Sequence, residues 1–246
     1  MAVDNVTERT ARPQKSGKRK IDGNAAPSAS GPKPYQFKRL VVTSPKGGSG
    51  KTGTTRNLAV AAVLDGYRVA TVDLDPQGSL TRWWEKRPDE ATSIDHFSAH
   101  IRDIAAVLNE VKDYDLVIFD TPTSVEEYLE EMKTLIVACD MALITTQETD
   151  DDLDSVLPWM DAVRKYQRNS SFLFNKIKPR TVMFTDARNR VVGNGYQACP
   201  VEVPDYTDIA TAGNQGIGVL ELRGAKGREH MAGVWGFIRS NLGLSA

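Results

Sequence analysis

The chain has 246 residues, 40% of them apolar and 26% charged, enough to bury one sizeable α/β core with a polar tail to spare. No apolar run reaches the roughly 18 residues that a membrane span needs, and the polar N-terminus lacks the apolar stretch of a signal peptide, so a cytoplasmic protein is expected. The net charge of −1 hides an asymmetry: residues 1–39 hold nine basic and three acidic side chains, a surplus of +6 that leaves −7 on the remainder, as expected for an electrostatic arm on an acidic body.

Residues 1–36 have few large apolar side chains and include Ala25-Ala26-Pro27-Ser28-Ala29-Ser30-Gly31-Pro32, a composition that predicts a disordered basic tail ahead of a folded domain over 37–246. The domain opens with Leu40-Val41-Val42-Thr43, a strand running into the glycine-rich turn Ser44-Pro45-Lys46-Gly47-Gly48-Ser49-Gly50-Lys51-Thr52. A helix follows over 52–64, stopped at Gly66, and then a strand over 68–73. A strand over 94–98 and a helix over 100–112 come next, before the apolar run Leu116-Val117-Ile118-Phe119, which suits a strand buried on both faces. Further strands are expected over 141–145, 172–175 and 200–203, with helices over 153–166 and 225–242. Strands alternating with helices of this length predict an α/β fold: a mainly parallel, twisted sheet with helices on both faces. Cys139 and Cys199 have no metal-ligand spacing and suit small buried residues.

The glycine-rich turn is built for phosphate. Backbone amides at Gly47, Gly48, Ser49, Gly50 and Gly53, with the positive end of the following helix, face an anion; Lys51 adds a charge and Thr52 a magnesium-binding hydroxyl. The ordinary P-loop spacing wants a glycine where Pro45 stands, and the pattern that fits is Lys-Gly-Gly-x-Gly-Lys-Thr, with the additional Lys46 at its head. Asp120 closes an apolar strand and suits the magnesium site. Alternation in Asp73-Leu74-Asp75-Pro76-Gln77-Gly78 is expected to point both carboxylates one way, Asp73 towards the metal's water shell and Asp75 towards an attacking water. Parallel sheets bind ligands beyond the carboxyl ends of their strands, where all these residues would emerge.

Taken together, Lys46 to Thr52, Val72 to Gly78 and Val117-Ile118-Phe119-Asp120-Thr121-Pro122 resemble the ParA family of partition ATPases, P-loop NTPases with a deviant Walker A motif. The resemblance spans about residues 38–242. It implies ATP and Mg2+ as cofactors and a homodimer that sandwiches ATP, with Lys46 reaching the partner subunit's nucleotide. It implies slow hydrolysis stimulated by a ParB-like or other adaptor protein, and location on the nucleoid when ATP is bound. Carried over, Lys51 contacts the phosphates, Thr52 and Asp120 serve magnesium, Asp75 positions the hydrolytic water, and Asn175 and Pro204 border the base. Non-specific double-stranded DNA would meet basic residues such as Lys176, Lys178, Arg180, Arg188, Arg190, Arg223, Lys226 and Arg228. Two departures stand out: Gly53 where the family has a second hydroxyl able to reach the α-phosphate, and Thr123-Ser124 after Pro122.

Other readings of the same loop are a ParA-like accessory that positions a conjugative DNA-transfer complex or a protein cargo, a corepressor, and a MinD-like membrane-associated ATPase. Met231, Val234, Trp235, Ile238 and Leu242 form an apolar stripe on the last helix, but Arg239 is its only basic residue from Met231 onward. Core packing is therefore expected of that stripe, and a membrane surface is not. Trp83, Trp84 and Trp159 are likewise expected to pack.

Overall fold

The computed structural model describes residues 8–9 and 37–245; the basic tail expected over 1–36 otherwise lies outside the described residues. Runs of apolar and β-branched residues form an eight-stranded sheet: β1 (Glu8–Arg9), β2 (Lys38–Thr43), β3 (Val69–Asp73), β4 (Asp95–Ser98), β5 (Leu116–Asp120), β6 (Met141–Thr146), β7 (Ser170–Ile177) and β8 (Val203–Pro204). Their spatial order is β1-β4-β3-β5-β2-β6-β7-β8. Every pairing is parallel except that of β1, which lies antiparallel on β4. The strand that feeds the glycine loop, β2, sits between β5 and β6.

Among the described residues eight α-helices flank the sheet, the last two after its final strand: α1 (Lys51–Leu64), α2 (Ser79–Glu85), α3 (Ile104–Glu110), α4 (Leu129–Ala138), α5 (Asp150–Arg164), α6 (Val182–Gly193), α7 (Thr207–Asn214) and α8 (Arg228–Asn241). Because strand side chains alternate, the sheet carries two separate cores. On one face Val41, Val72, Phe119, Ile144 and Phe174 pack against α3, α4, α5 and α6. On the other, Leu40, Val42, Ile118 and Leu143 pack against α1, α2, α7 and α8. Each fully buried Leu, Ile or Phe here removes enough apolar surface to contribute roughly 1.5–3 kcal/mol.

The expected α/β architecture is present, with local differences. Gly227 caps α8 at φ +91°, a left-handed conformation, so the last helix starts at Arg228 and not at residue 225. The Thr149 hydroxyl accepts the Asp152 N–H at 3.2 Å, which starts α5 at Asp150, three residues earlier than its apolar pattern suggests. The expected strand over 200–203 shrinks to β8, Val203–Pro204. The helix expected over 100–112 is a 3-10 turn at Ile101–Asp103 followed by α3. The stripe Met231, Val234, Trp235, Ile238 and Leu242 is buried in the second core, and Asp65 ties its helix to α1 by accepting from Trp235 Nε1 at 3.0 Å and Arg239 Nη1 at 2.8 Å. Trp83, Trp84 and Trp159 are buried, as are the free thiols of Cys139 and Cys199. No helix among the described residues is long and apolar enough to cross a membrane.

Candidate functional site

Thr43 ends β2 at the carboxyl edge of the sheet, and the loop that follows lies over that edge. Gly50 caps α1 at φ +88°, and a Cβ there would sit 2.1 Å from Asn175 Nδ2, so both conformation and space demand glycine. Asn175, at the end of β7, donates from Nδ2 to the Ser49 carbonyl at 3.0 Å. Ser49 Oγ shares a 3.0 Å hydrogen bond with Thr145 Oγ1 on β6, which fixes the loop to two strands. The first α1 backbone bond runs from the Thr54 N–H to the Gly50 carbonyl at 2.8 Å. The amides of Lys51, Thr52 and Gly53 therefore have no acceptor within the helix and are available to an anion at its positive end.

The charges around the loop are held in unequal environments. Lys51 is buried; desolvation lowers its pKa, opposed by the carboxylates of Asp120 and Asp75, and its Nζ donates to the Lys46 carbonyl at 3.4 Å. Thr52 Oγ1 donates to Asp120 Oδ2 at 2.6 Å. Asp120 is fully buried, and that burial pushes its carboxyl up to about 7 against the help of Thr52, with neighbouring Asp73 raising it further.

The expectation that Asp73 and Asp75 face the same way needs correction. Asp73 turns inward: Oδ2 accepts from the Thr81 N–H at 2.8 Å and its hydroxyl at 2.9 Å, while Oδ1 accepts from the Asp75 N–H at 3.1 Å. Both Asp73 oxygens are thus committed to protein donors. The chain leaves strand geometry after β3, and Asp75 opens a turn closed by the Gly78 N–H on its carbonyl at 2.8 Å. Asp75 alone of the two lines the cleft, with one oxygen accepting the Gln77 N–H at 2.9 Å.

That cleft, about 500 Å3 in volume, runs from the loop and Asp75 to Pro204, Tyr206, Ile209 and Met231. Its far end is the more apolar, as a nucleobase requires. Lys46, which precedes Gly47, is not among the lining residues; its side chain is 39% exposed, with Nζ 3.7 Å from the carboxylate of buried Asp152. Gly47 and Gly48 line the mouth.

The basic residues expected on DNA do not assemble into one patch. Lys176 bends back over the loop, Nζ donating to the Gly48 carbonyl at 3.0 Å. Arg190 pairs with Asp154 at 2.5 Å and Asp150 at 3.4 Å, and Arg188 with Glu202 at 3.9 Å. Arg228 donates to the Leu220 and Leu222 carbonyls and braces that loop. Arg180, Arg223 and Lys226 are exposed. Arg188 and Arg190 are on α6, over one sheet face, whereas Arg223 and Lys226 are in the segment before α8, over the other.

Two features escaped the sequence reading. Arg56 lines the cleft one turn into α1, and Thr81 and His96 buttress Asp73 from behind. The signal for Arg56 was the cationic side chain four residues after Thr52, on the same helix face. For His96 there was none, because its partners come together only through β3, β4 and α2.

The residues fit a magnesium nucleotide. Free helix-start amides suit phosphate, and an Asp120 carboxyl raised by burial and by neighbouring Asp73, beside the Thr52 hydroxyl, suits a divalent cation. Fold and site together define a P-loop nucleotide-binding ATPase with an additional lysine heading the loop. Residues 40–219 match the family described as the CobQ/CobB/MinD/ParA nucleotide binding domain. The Maintenance of carboxysome distribution protein A of Gloeobacter kilaueensis is 30% identical over 201 residues, covering 81% of this chain and 91% of the relative. Protein virC1 of Rhizobium radiobacter is 32% identical over 124 residues, 48% of this chain and 52% of the relative. The septum site-determining protein MinD of Pyrococcus horikoshii, solved with Mg-ADP, superposes with a TM-score of 0.71 over 86% of this chain and 99% of that one, at 19% identity. The chain belongs to the CobQ/CobB/MinD/ParA family of nucleotide-binding domains.

Proposed function

We propose that this chain is an ATP-driven switch of the DNA-partition type. ATP drives a sandwich dimer that holds DNA without sequence preference, and a partner protein stimulates slow hydrolysis and release. The observation that carries this reading is the contrast between the two loop lysines: Lys51 is buried against its own cleft, while Lys46 is 39% exposed and held to Asp152 at 3.7 Å. A lysine so placed can exchange that ion pair for phosphate oxygens presented by a second subunit.

Bound magnesium nucleotide supplies the electrophilic phosphoryl group and neutralises charge as the leaving group departs. Thr52 and Asp120 would hold the ion, and the α1 amides with Lys51 would hold the phosphates. Asp75 keeps one oxygen on the Gln77 N–H, leaving the other to orient a water and accept its proton. Asp73 fixes the Asp75 backbone and acts through it. Asn175 and Pro204 would border the nucleoside.

A second reading, an accessory that positions a protein cargo, is favoured by the similarity, over 81% of this chain, to a protein named for carboxysome distribution. The adaptor that raises the hydrolysis rate separates the two: a small DNA-binding protein for partition, a cargo-bound protein for positioning.

Light scattering of the full chain with Mg2+ and ATP or ADP tests the switch. ATP should produce a dimer for the wild type. Lys46→Gln should remain monomeric with unaltered ADP affinity, and Asp75→Ala should give a dimer that persists because turnover is lost. Dimerisation of Lys46→Gln at wild-type ATP concentrations would rule the switch out.

A further inference from the structure

Arg56 is an arginine whose donors the fold does not use up. Its Nη2 donates to the Ile209 carbonyl at 3.2 Å, and its Nε is buried without a hydrogen-bond partner among the described residues. Room for the guanidinium is cut by Gly213 on α7, where a Cβ would come within 2.1 Å of Arg56 Cζ. Burial works against the charge, and Asp120 is the carboxylate whose field supports it. A cation kept in such a place, with one donor buried and unsatisfied, costs stability.

The place is a wall of the nucleotide cleft. One end of that cleft is marked by Asp75 and Lys51, where the terminal phosphate belongs, and the other by Pro204 and Ile209, where the nucleoside belongs. Arg56 stands between them, beside the first turn of α1, where the phosphate chain joins the ribose. Its Nη2 is 4.0 Å from where a Cβ on Gly53 would lie. Gly53 contributes only its amide at that corner, whereas a side-chain hydroxyl there could reach the first phosphate. A guanidinium offers several donors in a planar fork and matches phosphate oxygens better than a point charge.

We propose that Arg56 donates to the α-phosphate of the bound nucleotide and takes over, in this chain, the contact that a hydroxyl at position 53 would make. Gly53 and Arg56 are then one device: the missing side chain opens the path, and the arginine from the next turn fills it. Gly213 belongs to the same device, since any larger residue would drive the guanidinium off its wall. This inference rests on the nucleotide site and is independent of the dimer and of DNA.

Calorimetric titration of the full chain with Mg-ADP tests it. Arg56→Met should bind ADP about ten- to a hundredfold more weakly, the loss expected for one charge-assisted hydrogen bond, with Arg56→Lys in between. Adding Gly53→Thr to Arg56→Met should restore most of the affinity, a rescue that a purely structural arginine would not give. Thermal melts check that each variant is folded, and Arg56→Gln serves if the methionine variant is not. Unchanged ADP affinity in a folded Arg56 variant overturns the inference. So does a loss that Gly53→Thr leaves unrepaired, because the contact would then lie on the ribose or base. A wild-type chain that binds no ADP overturns the nucleotide site itself, a result distinct from both.

Discussion

His96 and Thr81 tie the strands behind the cleft to the carboxylate in front of it. His96 is buried, stacked on Trp84 at 5.4 Å, with Nδ1 2.9 Å from Thr71 Oγ1 and Nε2 2.9 Å from Thr81 Oγ1. Thr81 gives its proton to Asp73, so it accepts from a protonated Nε2, and Nδ1 accepts from Thr71. Burial pushes the imidazole down to about 4 from its ordinary 6.5. The unfolded chain therefore takes up a proton near 6.5 that the folded chain refuses until about 4. This stabilising contribution is complete above 6.5 and is lost as pH falls through about 4, amounting to about 3 kcal/mol at most. Asp120, raised to about 7, acts in the opposite direction, its contribution being lost as pH rises. The informative quantity is thus the difference between wild type and His96→Gln: the wild type should gain melting temperature relative to the variant from pH 5 to pH 7. An equal difference at both pH values would contradict it. At this scale the sequence singled out the loop lysines and Thr52 from one short motif, and Asp75 and Asp120 from the apolar strands that precede them; the structure brings Thr52 and Asp120, 68 residues apart, to 2.6 Å. It misled on the direction of Asp73, because alternation does not reveal that a helix starting six residues on, at Ser79, will present Thr81 to the same carboxylate.

At the scale of elements, β2, β3, β5, β6 and β7 were legible because burial on both faces leaves apolar runs, whereas β1 lies in the stretch expected to be disordered. Four helices were not. The residues of α2 are few and include two tryptophans, α4 begins among acidic residues after a proline-containing turn, α6 exposes Val182, Met183 and Val192, and α7 is short and made mostly of small residues. Each is held by tertiary contacts more than by its own pattern. The attachment of α2 is an example. Just past its end, Arg87 reaches Glu221 in the segment between α7 and α8, at 2.8 Å and 3.3 Å, and packs over Trp83 at 4.9 Å. Burial raises the Glu221 pKa, but Arg87, the Gly218 N–H and Thr92 outweigh it and hold the carboxyl low. Glu221→Gln should destabilise the chain by about 2–3 kcal/mol in urea unfolding, since it strands a buried guanidinium. A loss below about 0.5 kcal/mol would mean that Arg87 finds water or another acceptor.

Over the whole molecule, the two sheet faces divide the basic residues, and several are neutralised by acids of the same chain. DNA affinity by a single monomer patch is thus poorly supported, and the proposed dimer must gather exposed cations such as Arg180, Arg223 and Lys226 from two copies. Binding to double-stranded DNA should accordingly require ATP, weaken steeply between about 50 and 200 mM salt, and survive removal of residues 1–34 in part. Binding that ignores nucleotide and vanishes with the tail would reduce the protein to a basic arm on an enzyme.

The partner of Lys46 has one more consequence. Asp152 sits in the first turn of α5, buried, receiving the Thr149 hydroxyl at 2.5 Å, at the positive end of its helix. When the lysine swings away, hydroxyl and helix end still shield the carboxylate. In the proposed dimer that shielding would let Lys46 leave Asp152 without stranding a bare buried carboxylate. In that proposed dimer α5 would be a fixed berth to which Lys46 returns once the terminal phosphate has gone, so that pairing of subunits would track the nucleotide that each holds.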